Sequence, residues 1–337
     1  MRILGHFERF GPPVGGGILT TAAILRALAD RGHTVQGLTN RPMAAGPLPF
    51  TIHDMPDPAN IAALYAWAEI VVPHMTATPT ALEYARRLGV PIVYPVHDDG
   101  QLDDYDLQPH DVALVIFNST SLQQRTAWPG PTMVIYPPTL SDEHRVDTIG
   151  DAITIASMSQ EKGAELFWEL ARRLPERRFI GVEGGWGAQI IPENRLPNVE
   201  LWRHQGTDLR DVFQQTRILL APSQQLGDGP RVWTENWGRA AIEAAASGIP
   251  TIATPTPGPL EALGDAGIFC ERNDPDGWIR AIHDLDDPVV YQERSARVRR
   301  RAAELDIIVR SQLDGLDSAL ERCRQTPPRM GGQPTVG

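Results

Sequence analysis

Lysine is almost missing from this sequence. Of 31 basic residues in 337, one is a lysine, Lys162, and the other 30 are arginine. Cysteine is nearly as scarce. Cys270 and Cys323 show no metal-ligand or redox spacing, which argues against a disulfide framework and makes a reducing cytoplasm the expected compartment. No apolar run approaches the roughly 18 residues that cross a bilayer, and the first residues read as a strand, without a signal-peptide pattern. Net positive charge is lacking as well: the formal charge is −11, which argues against broad attraction to nucleic acid or anionic lipid.

The composition that remains, 42% hydrophobic and 22% charged, is that of a globular protein, and the length suits two domains. Strand and helix patterns alternate. Residues 3–7 form an apolar strand, 11–17 a glycine-rich loop, 18–30 a helix and 34–39 a second strand. This βαβ unit implies a parallel sheet with helices on its faces, and the loop feeding a helix N-terminus is a natural anion site. It is not a dinucleotide fingerprint: the glycines miss G-x-G-x-x-G, and the second strand ends Leu38-Thr39-Asn40 without a ribose-binding acid. Strands follow at 50–55, 70–74, 91–97, 112–117 and 133–138, with helices at 61–69 and after Thr78, a predicted N-cap. His97 ends its strand, where open α/β sheets place ligand crevices. A metal cluster of His97, Asp98 and Asp99 is disfavoured because neighbours on a strand point to opposite faces.

Residues 139–150 are polar and read as a linker, after which the alternation restarts: strands at 152–158, 179–183, 199–202 and 217–222, helices at 164–173 and 209–215. Helices are predicted at 291–305 and 307–324. The arginines at 294, 297 and 299–301 are interleaved with Glu and Ala, which favours a solvated helix face over a nucleic-acid patch. The Pro/Gly-rich end, 325–337, is predicted to be a disordered tail.

One stretch concentrates the chemistry. Glu235 and Glu243 stand eight positions apart, with Gly238 between them and an alanine-rich run that stops at Gly248-Ile249-Pro250. Helix propensity places Glu235 just before a buried helix and Glu243 about two turns inside it. A carboxylate among small apolar residues is costly unless donors reach it. For the pair alone, a capping glutamate plus a surface glutamate is the readier reading.

Taken with its neighbours, the stretch resembles the donor-site core of the family 4 retaining glycosyltransferases. Gly11-Pro12-Pro13-Val14-Gly15-Gly16 with residues 28–35 resembles that family's opening, Val96-His97-Asp98 its acceptor-side histidine strand, and Glu161-Lys162-Gly163 its phosphate-binding turn. Pro222-Ser223, residues 235–250, Gly258-Pro259-Leu260-Glu261 and residues 264–267 complete the set. The resemblance implies an α/β GT-B fold, two Rossmann-like doubly wound domains facing across a cleft. The acceptor-side domain is expected at 1–145 and the donor domain at 146–290. Helices at 291–324 are expected to return to the first domain.

The implied activity is transfer of a sugar, with retention, from a nucleotide-diphosphate donor to an acceptor that the sequence does not name. No metal or cofactor is implied, since a lysine and helix amides can stabilise the leaving diphosphate. By resemblance, Lys162 holds the diphosphate, Glu235 the donor sugar and Glu243 the ribose hydroxyls, as a carboxylate can accept from both. Gly15 and Gly16, and the amides of Asn236, Trp237, Gly238, Gly258 and Leu260, are further expected donor contacts, and His97 is expected to face the transferred sugar. Where many relatives have an arginine five positions before the turn lysine, this chain has Ser157. Either the phosphate clamp is weaker or another arginine serves it, Arg231 and Arg239 being near the motif in sequence. The alternative is a catalytically impaired GT-B protein that binds nucleotide or glycan without transfer. The five acids within 98–106 disfavour a polyanionic acceptor.

Overall fold

The computed structural model describes residues 1–9, 15–41, 50–54, 57–185, 187–203, 208–223, 225 and 233–325. The expectations for Gly11 to Val14, for Arg231 and for the tail beyond 325 fall outside them. The chain forms two compact units, residues 1–138 with 309–337, and residues 139–308.

In the first unit the elements run β1 (Arg2–Phe7), α1 (Gly16–Asp30), β2 (Thr34–Thr39), β3 (Thr51–Asp54), α2 (Pro58–Trp67), β4 (Ile70–Pro73), α3 (Thr78–Leu88), β5 (Val93–Val96), α4 (Gln101–Asp104), β6 (Leu114–Phe117), α5 (Thr120–Thr126) and β7 (Thr132–Val134). The strands are all parallel, in the order β3-β2-β1-β4 and β5-β6-β7, and a bridge between Val71 and Ile92 joins the two sets. Local chemistry starts the helices. Asp57 caps α2 by accepting from the Asn60 amide at 2.9 Å with Pro58 at the first position, and Ser119 caps α5 by accepting from Leu122 N at 3.2 Å. Thr78 does not cap α3. Residues 75–77 make a 3₁₀ turn that draws Thr78 into the helix, leaving its hydroxyl to the Tyr94 hydroxyl at 3.3 Å. The core sits between sheet and helices around Leu4, Tyr65, Val71, Tyr94, Val115 and Phe117.

The second unit continues with α6 (Ser141–His144), β8 (Ala152–Ile155), α7 (Ala164–Arg173), β9 (Phe179–Val182), β10 (Val199–Trp202), α8 (Leu209–Gln215), β11 (Thr216–Ala221), α9 (Arg239–Ala246), β12 (Thr251–Ala253), α10 (Pro257–Leu263), β13 (Ile268–Phe269), α11 (Pro275–Asp284) and α12 (Pro288–Gln325). Its sheet is parallel throughout, ordered β10-β9-β8-β11-β12-β13. That is the doubly wound order, with its switch point between β8 and β11. Residues 139–150, expected as a linker, belong to this unit.

The two helices predicted at 291–305 and 307–324 are one. Neither proline nor glycine interrupts residues 303–308, and buried positions at Val298, Ala302, Leu305, Val309, Leu313, Leu316 and Leu320 keep a three-four spacing throughout. Up to residue 308 this helix belongs to the second unit. From 309 it belongs to the first, where Asp314 pairs with Arg31 at 3.0 Å and Gln312 accepts from Tyr136 N at 2.9 Å.

The arginine run on α12 is solvent-exposed at Arg299 and Arg300, as expected of a solvated face, but two of its guanidinium groups also make tertiary contacts. Arg299 donates to Ser247 O at 3.0 Å, and Arg301 donates to Glu261 O and Ala262 O, both at 2.8 Å. These carbonyls end α9 and α10, so the guanidinium groups satisfy orphan acceptors at helix C-termini. Arg301→Ala is therefore expected to cost about 2 kcal/mol, read as a lower midpoint in denaturant melts. Arg300→Ala, on the same run, should change the midpoint little.

Candidate active site

At the switch point Lys162 and Glu235, two of the expected donor residues, meet. The loop after β8 turns through Gln160 to Gly163 into α7, and Gly163 has φ +83°. An added Cβ there would lie 2.1 Å from Pro222 O, on the segment leaving β11, so glycine alone lets the two loops touch. This contact brings Lys162 to Glu235, although 73 positions separate them, and the ammonium donates to Oε2 of the carboxylate. Lys162 also lies 5.2 Å from the ring centroid of Trp233, within cation–π range.

Glu235 is held from several sides. Ser223 Oγ donates to Oε2 at 3.4 Å and Gly238 N to Oε1 at 3.2 Å. Burial opposes its ionisation, but the Lys162 charge and hydrogen bond, with the amides of Trp237 and Gly238, outweigh that and hold the carboxyl below the usual range. It is a preformed anion at neutral pH.

The amides expected to meet the donor are thus largely spent on the chain. Those of Trp237 and Gly238 serve the Glu235 carboxylate. Gly258 N donates to Glu235 O at 3.2 Å and Leu260 N to Thr256 O at 3.0 Å. Pro257 and Pro259 have no N–H, so the first four positions of α10 offer no unused amide. Gly258 is needed for close approach, since a Cβ would fall 2.3 Å from Glu235 O and 2.4 Å from Trp237 N. Asn236 and Trp237 are buried. Ser157 turns its hydroxyl toward its own loop, accepting from Ser159 N at 3.4 Å, and packs where a Gly184 side chain would stand. No hydrogen bond ties it to Lys162 or Glu235 among the described residues.

Glu243 lies just over one turn inside α9, not two, because the helix starts only at Arg239. Nor is it a surface residue: it is buried, and its Oε1 accepts from Arg239 Nε at 2.5 Å.

In the first unit, His97 follows β5 and is buried. Its Nε2 shares a hydrogen bond with Thr21 Oγ1 at 3.1 Å, and its backbone N–H donates to Gln101 Oε1 at 2.8 Å. Two residues that sequence reasoning passed over share its surroundings. The His74 ring lies 5.5 Å from that of His97, and an added Cβ on Gly17 would meet both rings, at 3.0 Å from His97 and 3.3 Å from His74 Nε2. By contrast, no atom of the described residues lies within 4 Å of a Cβ built on Gly15 or Gly16. Met75, next to His74, has φ +45°, a left-handed conformation that costs a long side chain about 1–2 kcal/mol.

Burial pushes His97 down to about 4 and His74 down to about 3, the latter helped by its neighbour His97. Both are neutral at pH 7. Because the folded state resists a proton that the unfolded chain accepts below about 6.5, stability is full above that pH and falls as pH drops toward 4. Each histidine adds up to about 1.4 kcal/mol per pH unit. His74→Gln is expected to flatten the decline between pH 6.5 and 5, measured by chemical denaturation at stepped pH; an unchanged slope would exclude His74 from the effect.

Among the described residues, no three His, Cys, Asp or Glu side chains converge as a metal site, and no helix is long and apolar enough to cross a membrane.

Comparison with solved structures identifies the architecture. HepE of Anabaena, solved in complex with UDP-glucose, superposes with a TM-score of 0.77 at 16% identity, over 94% of this chain and 100% of that one. The fold is GT-B. The sucrose-phosphate synthase of Thermosynechococcus elongatus gives 0.70 at 15% identity, covering 96% of this chain and 100% of that one. Within the GT-B chain, residues 150–287 match the family model of glycosyl transferases group 1. A D-inositol 3-phosphate glycosyltransferase of Corynebacterium diphtheriae is 29% identical over 171 residues, which span 44% of this chain and 37% of that protein. The chain thus matches little more than a third of that relative's length.

Proposed function

We propose that the protein is a retaining glycosyltransferase of family 4 that transfers a sugar from a nucleotide-diphosphate donor without a metal ion. The observation that carries this reading is the meeting of Lys162 and Glu235 at the β8/β11 switch point, the position where doubly wound sheets bind ligands. The diphosphate draws Lys162 from Glu235, and the freed carboxylate accepts hydrogen bonds from hydroxyls of the donor sugar. Glu243 receives the ribose. His97, buried and neutral, is the acceptor-side group.

In the step itself, the acceptor oxygen bonds to the anomeric carbon on the face from which the phosphate oxygen leaves. The proton of the acceptor hydroxyl passes to that oxygen. Lys162 stabilises the charge that develops on the diphosphate, as positioned cations do in phosphate departure. UDP-glucose, the ligand of the HepE complex, is the first donor to try, and inositol phosphate belongs in the acceptor panel on the strength of the Corynebacterium relative.

The test is donor hydrolysis or transfer in EDTA, followed by NMR. Turnover with an α-configured product from an α-linked donor is expected. Strict dependence on a divalent ion would overturn the metal-free claim, and a β-product the retaining one. Ser157 in place of an arginine favours one other reading, nucleotide binding without transfer. Tight nucleotide binding with no turnover over a broad acceptor panel would establish that reading.

A further inference from the structure

Lys162 and Glu235 meet a third side chain. The Trp233 ring is half-buried, and its centroid lies 5.2 Å from the Lys162 ammonium, inside the roughly 6 Å over which an aromatic face attracts a cation. Trp233 and Glu235 stand two positions apart with Thr234 buried between them. At that spacing an extended chain turns both side chains to one face.

The lysine and the glutamate are not held alike. Glu235 is fixed without the lysine, through Ser223 Oγ at 3.4 Å and Gly238 N at 3.2 Å. Lys162 is 33% exposed at the end of a flexible four-carbon stem. Among the described residues its ammonium is engaged by the Glu235 carboxylate and the Trp233 ring alone. A diphosphate that draws Lys162 from Glu235 therefore leaves the ring as its remaining protein partner.

A ring suits that moment better than a second carboxylate would. A carboxylate neutralises the ammonium and occupies one of its N–H donors. The indole face attracts the cation through its quadrupole and carries no net charge. It holds the lysine and leaves the full positive charge for the oxygen that departs.

We propose that Trp233 is a positioning residue whose ring holds the Lys162 ammonium at the β8/β11 edge after Glu235 has released it, so that the charge faces the diphosphate. The proposal rests on the donor reading above and adds to it an aromatic support for the one lysine.

The test is a double-mutant cycle on the full chain. Trp233→Phe and Trp233→Leu, each alone and combined with Lys162→Ala, are titrated by calorimetry in EDTA with UDP-glucose, GDP-mannose and UDP-N-acetylglucosamine. Turnover is measured alongside, and circular dichroism confirms the fold. Trp233→Leu is expected to weaken nucleotide-sugar binding about fivefold, and Trp233→Phe less, because indole offers the strongest face to a cation. Turnover should fall in the same order. In the Lys162→Ala background neither change should move affinity by more than about twofold, since the partner of the ring is gone. Trp233→Phe carries the cycle if the leucine variant does not fold. Equal losses in both backgrounds would mean that the ring acts on the ligand or on the fold, and would overturn the proposal. So would a Trp233→Leu protein that binds as wild type does, while the donor reading stands. Failure of wild type to bind any nucleotide sugar removes the donor reading and the proposal with it.

Discussion

Lys162→Ala is expected to lower kcat/KM for sugar transfer by about a hundred- to a thousandfold, the loss typical when one preorganised stabiliser of a developing oxyanion is removed. Two effects combine in it. The diphosphate loses the lysine expected to stabilise its departure, in a chain that has no second lysine. Glu235 loses the cation that offsets its burial, so its carboxyl rises toward and past the ordinary carboxylate range and the pH–rate profile moves up on its acidic limb. Lys162→Arg should not restore activity, because a planar fork does not reproduce a compact ammonium in a turn closed against Pro222 by Gly163. The variant should also lose stability near neutral pH, because Lys162 is 33% exposed but Glu235 only 15%, and removing the cation leaves a largely buried carboxylate without its partner. Steady-state kinetics over a pH series, with a thermal melt of the variant, checks each part.

Gly163→Ala is expected to be strongly destabilising to the second unit. At φ +83° an alanine carries left-handed strain, and its methyl would stand 2.1 Å from the Pro222 carbonyl oxygen, backbone that cannot swing aside. Strain and overpacking together amount to about 2–5 kcal/mol, a fall in melting temperature of about 5–15 °C for a unit of this size. The same shift would part Lys162 from Glu235, so activity should fall even at temperatures where the variant stays folded. Gly315→Ala is the control, since no atom of the described residues lies within 4 Å of its Cβ and alanine favours the helix. A Gly163→Ala protein that melts with wild type would show that the loop contact does not fix the site.

Parts of this arrangement were legible in the chain. Helix 209–215 and strand 199–202 fall at the bounds read from the sequence: Asp208 starts the helix by accepting from Arg210 N, and in Val199-Glu200-Leu201-Trp202 only Glu200 is exposed. The pairing of Arg239 with Glu243 follows the i,i+4 rule, which holds whether the helix starts just after Glu235 or at Arg239. Both glutamates escaped their plainest reading only in part. Glu235 does accept amides at the start of a helix, as a capping residue would, but from within a buried ion pair, while Glu243 is no surface residue at all.

What the sequence hides is whatever depends on distant segments meeting. No local pattern joins Lys162 to Glu235 across 73 positions, or brings Gly17, His74 and His97 together from the ends of three strand-helix connections. Amide destinations are equally hidden: whether Gly258 N–H faces a ligand or Glu235 O depends on where two loops cross. The arginines of α12 read as a surface stripe because nothing in their own helix indicates that two helix C-termini end beneath them.

The central claim is that the β8/β11 edge holds the diphosphate of a nucleotide sugar through Lys162. Isothermal titration of UDP-glucose and of the other common nucleotide sugars into the full chain in EDTA, beside Lys162→Ala, tests it most directly. The account predicts that at least one nucleotide sugar binds wild type without metal and that its affinity falls about tenfold or more in the variant, the loss of one charge-assisted contact. Equal affinity in the two proteins, or binding that appears only when a divalent ion is restored, would contradict it.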